Sequence, residues 1–112
     1  MEKLTLERKD AVLYAKLKGE VTLDITNDLK RSINEELGSG VEKLIMDLSG
    51  VDFMDSSGIG LLVSVNTRMR SGGKAFFLYS PSPQVEKTLS LVQLLSFFEI
   101  LSDEDELKAA MV

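Results

Sequence analysis

The feature that most constrains this chain is the passage from a strand pattern to a helix pattern between Met46 and Val63. An apolar run leads into a short acidic turn, which is followed by Ser56, Ser57, two glycines and the start of an apolar helical pattern. In an open sheet flanked by helices, ligand and partner sites gather at the carboxyl ends of the strands. The order of these segments therefore predicts an exposed hydroxyl at Ser56 or Ser57, beside a helix N-terminus with unpaired backbone amides.

Strand and helix patterns alternate along the 112 residues, and no linker or internal repeat interrupts them. Apolar alternation or short apolar runs predict strands over 4–6, 11–17, 43–48, 75–79 and 97–101. Helical periodicity predicts helices over 24–37 and 57–70, a third from 83 onward and a fourth after 102. This alternation indicates an α/β fold, a mixed sheet of about five strands packed with about four helices. The length favours one domain spanning residues 1–112.

Helix boundaries are predicted from local capping signals. Asp24 is a candidate N-cap for the first helix, and residues 19–22 before it are expected to form a connector. Ser82 precedes Pro83, the order that is typical of an N-cap followed by the first helical residue. Ser102 is a candidate N-cap for the last helix, with Asp105 three residues later in a variant of the capping box.

Composition excludes several classes of function. The chain has no cysteine and no histidine, so a disulfide framework, a thiolate metal site and a Ser-His-Asp triad are all excluded within it. The net charge of −5 and the lack of a clustered basic surface argue against nucleic-acid binding. No apolar run approaches the roughly 20 residues of a membrane span, and the first ten residues do not resemble a signal peptide. We therefore expect a cytoplasmic protein without a membrane segment.

Known catalytic motifs do not explain the junction. The segment Gly58-Ile59-Gly60 lacks the third glycine of a dinucleotide fingerprint, and no Gly-Lys-Ser/Thr of a phosphate-binding loop follows it. Met54 stands where a nucleophile elbow centred on Ser56 needs glycine. We accordingly expect no cofactor. From the residues alone, the simplest interpretation is that Ser56 or Ser57 caps the helix, and a phosphoryl acceptor remains an alternative.

Three carboxylates that lie close in sequence offer a metal site as an alternative. Asp47, Asp52 and Asp55 offer oxygen ligands that suit a hard cation such as Mg²⁺. Acidic loops without a metal are more common, so we expect no metal here.

Residues 47–60, which begin Asp-Leu-Ser and end Asp-Ser-Ser-Gly-Ile-Gly, resemble the signature of the STAS-domain anti-sigma factor antagonists. The similarity spans essentially the whole chain. Gly19-Glu20-Val21 with Asp24 resembles an early family segment, and residues 72–74 and 94–100 resemble later ones. Gln93 departs from the pattern, since relatives often have glycine there.

The resemblance implies a partner switch rather than an enzyme. In this family the unphosphorylated protein binds an anti-sigma factor that is also a serine kinase, and binding releases the sigma factor. The kinase phosphorylates the serine after the aspartate, which corresponds to Ser56, and a serine phosphatase resets the switch. Ser57 holds the following Ser/Thr position and is the less favoured acceptor. We further expect phosphorylation to change the surface and leave the fold intact.

The resemblance also implies a contact surface for the partner in two parts. The junction contributes Asp52, Asp55, Ser56, Ser57, Gly58, Ile59 and Gly60. The segment before the first helix contributes Glu20, Val21, Thr22 and Asp24. The glycines are expected to permit close approach of the partner's backbone.

Three other functions remain open at this point. The domain could be a scaffold subunit of a larger signalling complex, or a cytoplasmic docking subunit of a lipid transporter. A small-molecule hydrolase is disfavoured because the chain lacks histidine.

Overall fold

The computed structural model describes residues 3–38 and 40–112. Within these residues the chain forms five strands and four α-helices. The strands are β1 (Leu4–Lys9), β2 (Val12–Val21), β3 (Lys43–Met54), β4 (Ala75–Tyr79) and β5 (Glu99–Leu101). The helices are α1 (Leu23–Leu37), α2 (Ser56–Ser71), α3 (Pro83–Leu91) and α4 (Glu104–Ala110), and a 3₁₀ turn covers Leu95–Phe97. The predicted mixed sheet of about five strands with about four helices is confirmed.

The five strands lie in the sheet in chain order, β1-β2-β3-β4-β5. β1 pairs antiparallel with β2, while the pairs β2–β3, β3–β4 and β4–β5 are all parallel. The hairpin between β1 and β2 turns at Asp10, which has a φ of 54°. Because β2 to β5 are parallel and neighbours in sequence, each connecting helix crosses the sheet in the same sense.

Three helices cover one face of the sheet and the fourth covers part of the other. The larger core cluster joins the strands to the inward faces of α1, α2 and α3, and its members include Leu17, Ile33, Leu62 and Leu89. The smaller cluster lies under α4, where Ala110 packs near Val12, Ile45 and Leu101. The α1 stripe predicted from sequence points into the larger core: Leu29, Ile33 and Leu37 are buried and Ile25 is partly buried.

The two central strands are longer than the sequence predicted. β2 continues to Val21 and β3 continues to Met54, so the expected connector at 19–22 and the expected acidic turn are largely strand. The pairing of β2 with β3 is maintained through register shifts between Lys16 and Lys18 and between Gly19 and Glu20. These irregularities let polar residues and Gly50 stay in paired strands. The last strand is shorter than predicted, beginning at Glu99.

The capping predictions have mixed outcomes. Ser82 caps α3 as predicted, since its side chain accepts a hydrogen bond from the Val85 amide and Pro83 is the first helical residue. The other two predicted caps are wrong by one or two residues. Thr22, not Asp24, is the N-cap of α1, and Asp103, not Ser102, is the N-cap of α4. No helix in the described part of the chain combines the length and apolar character that crossing a bilayer requires.

Candidate functional site

The junction between β3 and α2 lies at the carboxyl end of the parallel strands. β3 ends at Met54, Asp55 follows in extended backbone, and α2 begins at Ser56. The Asp55 amide donates a hydrogen bond to the Val21 carbonyl at 3.2 Å, so the end of β2 lies directly beside it. The two segments that the family resemblance picked out, residues 19–24 and residues 52–60, are therefore neighbours in space.

Asp55 is the N-cap of α2. Its Oδ1 atom accepts hydrogen bonds from the Ser57 amide at 2.9 Å, the Gly58 amide at 3.1 Å and the Ser57 hydroxyl at 2.5 Å. Its Oδ2 atom accepts a bond from the Leu23 amide at 3.2 Å, in the first turn of α1. The interpretation that Ser56 or Ser57 caps the helix is therefore wrong, because the aspartate before them does so.

These donors favour the charged form of the carboxylate. The Ser57 hydroxyl, together with the Gly58, Leu23 and Ser57 amides, lowers the pKa of Asp55 below its ordinary value of 3.8, against a smaller opposing effect of desolvation. Asp55 is thus an anion whose two oxygens both bind backbone of this chain.

The two serines have different environments. Ser56 is exposed at the first position of α2, and within residues 3–38 and 40–112 its hydroxyl has no hydrogen-bond partner. Ser57 is half-buried, and its hydroxyl is bound to Asp55. A reagent approaching from solvent therefore meets a free hydroxyl at Ser56 and an engaged one at Ser57.

The two glycines of the junction also differ. A Cβ atom at Gly58 would lie 2.4 Å from Met54 Cγ and 3.1 Å from the Val21 carbonyl oxygen, so packing inside the domain requires glycine there. A Cβ atom at Gly60 would meet nothing within 4 Å. The close approach of α2 to the ends of β2 and β3 explains Gly58, and nothing within the described chain explains Gly60.

The remaining predicted contact residues divide by exposure. Glu20, Asp24 and Asp52 are exposed, and Thr22 is half-buried with its hydroxyl donating to the Asp24 carboxylate. Three other members of the predicted set, Val21, Gly58 and Ile59, are buried. Their side-chain positions face the core, so the surface that a partner could touch consists of the exposed and half-buried members.

Two exposed apolar side chains beside the junction were missed from sequence. Leu23 is 71% exposed in the first turn of α1, and Phe53 is 43% exposed near the end of β3, opposite Glu20. The sequence contained a signal for the exposure of Leu23, because this residue lies outside the apolar stripe of α1 that begins at Ile25. These side chains place apolar area in a surface that is otherwise acidic or polar.

A shallow groove of about 240 Å³ separates the N-terminal halves of α1 and α2. It is lined by Leu23, Thr26, Asn27, Lys30, Ser57, Gly60, Leu61 and Ser64. Ser57, the residue after Ser56, lines this groove, and the lining residue Gly60 leaves open space where a Cβ atom would lie.

Charges of both signs surround the end of the sheet. Glu20, Asp24, Asp52 and Asp55 are acidic, whereas Lys3 and Lys18 line an open pocket with Asp52. Lys3 Nζ donates to the Glu20 carbonyl at 3.0 Å. Among the residues that the structure describes, no three acidic side chains are arranged to hold a metal ion.

Asp47, the first residue of the signature, lies away from this surface. It is 4% exposed, and its carboxylate accepts hydrogen bonds from the Tyr14 hydroxyl, the Ser49 amide at 2.9 Å and the Ser49 hydroxyl at 2.7 Å. Its role is to satisfy polar groups of β2 and β3, so the Asp47–Asp52–Asp55 set does not form one cluster.

The sequence matches the family model of the STAS domain over residues 3–107. The chain belongs to the STAS domain family. A curated relative of this STAS domain is BtrV of Bordetella bronchiseptica, named as a candidate anti-sigma factor antagonist, which is 24% identical over 108 residues. That alignment covers 96% of this chain and 93% of BtrV.

Solved structures of similar proteins have the same fold. A candidate anti-sigma factor antagonist from Thermotoga maritima superposes with a TM-score of 0.87 at 26% identity, covering 97% of this STAS domain and 95% of that chain. The antagonist SpoIIAA of Bacillus superposes in its unphosphorylated form with a TM-score of 0.80 at 22% identity, covering 95% and 94% of the two chains. Its phosphorylated form gives 0.74 at 21% identity, covering 95% and 97%. Family membership and fold are thus established, and the Asp-Ser-Ser-Gly-Ile-Gly end of the sequence signature, residues 55–60, lies at the β3–α2 junction of this STAS domain.

Proposed function

We propose that this protein is an anti-sigma factor antagonist whose binding is switched by phosphorylation of Ser56. In its unphosphorylated form it binds an anti-sigma factor that is also a serine kinase, and so frees a sigma factor. Phosphorylation of Ser56 by that kinase ends binding, and a serine phosphatase restores it. The observation that carries the proposal is the free, exposed Ser56 hydroxyl at the tip of α2 beside the engaged hydroxyl of Ser57.

Electrostatics explains why a phosphoryl group would act as a switch. Phosphorylation adds about −1.5 to −2 charges at neutral pH. The amides of Ser57 and Gly58, which would otherwise stabilise an anion at the helix N-terminus, already donate to Asp55. The new charge would therefore face solvent or partner beside Asp52 and Asp55, and burying it in an interface would carry a large desolvation cost.

The same geometry supports a surface change without refolding. Ser56 is exposed at the first helical position, and no described contact of the fold depends on its hydroxyl. A phosphoryl group there has room to project from the domain. We propose that the fold stays intact and that residues 1–112 act as one STAS domain.

We propose further that the chain is not itself an enzyme and works in the cytoplasm. It supplies an accepting hydroxyl, while the kinase supplies ATP, Mg²⁺ and the positioning of the phosphates. Asp55 is a poor candidate for a general base toward Ser56, because both of its oxygens bind groups of this chain.

The test is partner capture from native lysate with wild type, Ser56→Ala and Ser56→Asp as baits. Each eluate is incubated with Mg-ATP, and the bait is analysed by peptide-resolved mass spectrometry. We expect a kinase on wild type and Ser56→Ala, its loss on Ser56→Asp, and one phosphoryl group on Ser56 of the wild type. Ser90→Asp adds the same charge at an exposed site late in α3 and serves as the control.

Two results would refute the proposal. One is phosphorylation of Ser57 in place of Ser56, and the other is capture of no kinase at all. Assembly into large particles, or co-purification with a transporter ATPase, would instead support a scaffold or docking role.

A further inference from the structure

The carboxylate of Asp55 joins the first turns of two helices that start from different strands. One oxygen binds the amides of Ser57 and Gly58 in α2, and the other binds the amide of Leu23 in α1. An N-cap needs the first of these oxygens alone. The second bond fixes the start of α1 relative to the start of α2.

The residue held by this second bond carries a large exposed apolar side chain. Leu23 is 71% exposed and stands outside the buried stripe of α1, so it contributes little to the core. It lines the same groove as Ser57 and Gly60. Apolar side chains of this size release free energy when a partner removes them from water.

We propose that Asp55 is a positioning residue that holds Leu23 beside Ser56 as an apolar contact for the partner. The inference rests on the proposed function, because the partner is the kinase that phosphorylates Ser56. The kinase surface would carry an apolar depression for Leu23 next to the site that receives the Ser56 hydroxyl. Both oxygens of Asp55 are engaged by backbone amides of this chain, so its part in the contact is to position Leu23.

Substitution of Asp55 by Asn separates the two tasks of the carboxylate. An asparagine is as good an N-cap as an aspartate, and its single carbonyl oxygen can accept from the Ser57 and Gly58 amides. Its NH₂ group then faces the Leu23 amide, and two donors cannot bond to each other. Asp55→Asn therefore removes the bond to α1 while preserving the cap of α2.

The first measurement is amide exchange by NMR on Asp55→Asn, with Asp103→Asn as the matched control. Asp103 caps α4 by accepting a hydrogen bond from the Glu106 amide at 2.8 Å, and α4 packs in the smaller core cluster, apart from the cluster that holds α1 and α2. In Asp55→Asn we expect the Leu23 amide to exchange at least about fivefold faster, while Ser57 and Gly58 stay within about twofold of wild type. Asp103→Asn should leave all three unchanged.

The second measurement is the Kd for the purified kinase of wild type, Asp55→Asn, Leu23→Ala and the double variant. Leu23→Ala should weaken binding about tenfold. Asp55→Asn should weaken it about fivefold, and the double variant should be no weaker than Leu23→Ala alone, because both substitutions remove the same contact. Leu91→Ala is the control, since Leu91 is 74% exposed at the far end of α3.

The results distinguish the inference from the function on which it rests. If Asp55→Asn and Leu23→Ala weaken binding independently, so that the double variant loses about fiftyfold, Asp55 does not act through Leu23 and the proposal is overturned. An unchanged Leu23 amide overturns it as well. If wild type captures no kinase, the proposed function fails and the docking role fails with it, while the amide exchange still decides whether Asp55 fixes Leu23.

Discussion

Gly58 and Met54 approach so closely that a Cβ atom at position 58 would lie 2.4 Å from Met54 Cγ. Met54 is buried at the end of β3, and the carbonyl oxygen of Val21 would lie 3.1 Å from the same Cβ atom. The contact fixes how near α2 begins to the ends of β2 and β3. Packing therefore requires glycine at position 58, whereas Gly60, the other glycine of the junction, has open space around it.

Alanine at these two positions should have opposite effects on stability. Gly58→Ala forces Met54 and the start of α2 apart and should lower the free energy of unfolding by about 1 to 3 kcal/mol. Gly60→Ala replaces an exposed helical glycine and should raise it by up to about 1 kcal/mol. Urea denaturation of both variants checks this. A destabilising Gly60→Ala would mean that the position is tighter than the structure describes.

Acid should weaken the contribution of Asp55 to the free energy of unfolding. Because the folded-state pKa of Asp55 is lowered from 3.8, chiefly by the Ser57 hydroxyl, its carboxylate stabilises the fold above that ordinary value. The contribution is lost as the pH falls through the lowered pKa. The Asp55→Asn side chain does not titrate in this range. The difference in unfolding free energy between wild type and Asp55→Asn should therefore shrink as the pH falls from about 5 to about 2. A difference that stays constant over this range would contradict the assignment.

High pH should lower the stability of the fold through ionisation of the Tyr14 phenol. Burial, together with the hydrogen bond to Asp47 and its charge, raises the pKa of the Tyr14 phenol above its ordinary value of 10.0. The protonated phenol stabilises the fold below about pH 10, and this contribution is lost as the pH rises through the raised pKa. Tyr14→Phe should therefore cost about 1 to 2 kcal/mol at neutral pH and show a flatter loss of stability above about pH 10. Denaturation series at several pH values test both parts.

Phe53 should contribute to partner binding more than to folding. It is 43% exposed, beside Glu20 at the carboxyl end of the sheet. Phe53→Ser should reduce the affinity for the captured kinase about tenfold and change the unfolding free energy by less than about 1 kcal/mol. Phe97→Ser is the matched control, because Phe97 is 45% exposed just before β5, at the opposite end of the sheet. Equal losses of affinity in both variants would remove Phe53 from the contact surface.

Local signals in the sequence predicted most of the fold. The four-residue stripe of α1 and the Ser82-Pro83 start of α3 are both confirmed, because each depends on residues adjacent in the chain or along one helix. The lengths of β2 and β3 were underestimated. Their ends mix apolar residues with polar residues and glycine, such as Lys18, Gly19 and Gly50, and they remain strand because β2 and β3 pair there.

The candidate site was predicted in position but not in its internal roles. The residue types around Ser56 indicated an exposed hydroxyl, and Ser56 is exposed. That Asp55 binds the start of α1 could not be predicted, since Leu23 and Asp55 are 32 positions apart in the chain and meet only because β2 ends beside β3. The exposure of Phe53 has the same origin, whereas that of Leu23 follows from its place outside the apolar stripe of α1.

The attachment of α4 has a practical consequence for work on this molecule. Lys43 Nζ binds the carbonyl oxygens of Ala110 at 2.5 Å and Val112 at 3.4 Å, so Val112 lies at the beginning of β3. Ser56 lies beyond the other end of that 12-residue strand. A fluorophore or sensor-surface linker attached at Val112 would leave Ser56, the proposed phosphoryl acceptor, facing away from the attachment point and open to a partner.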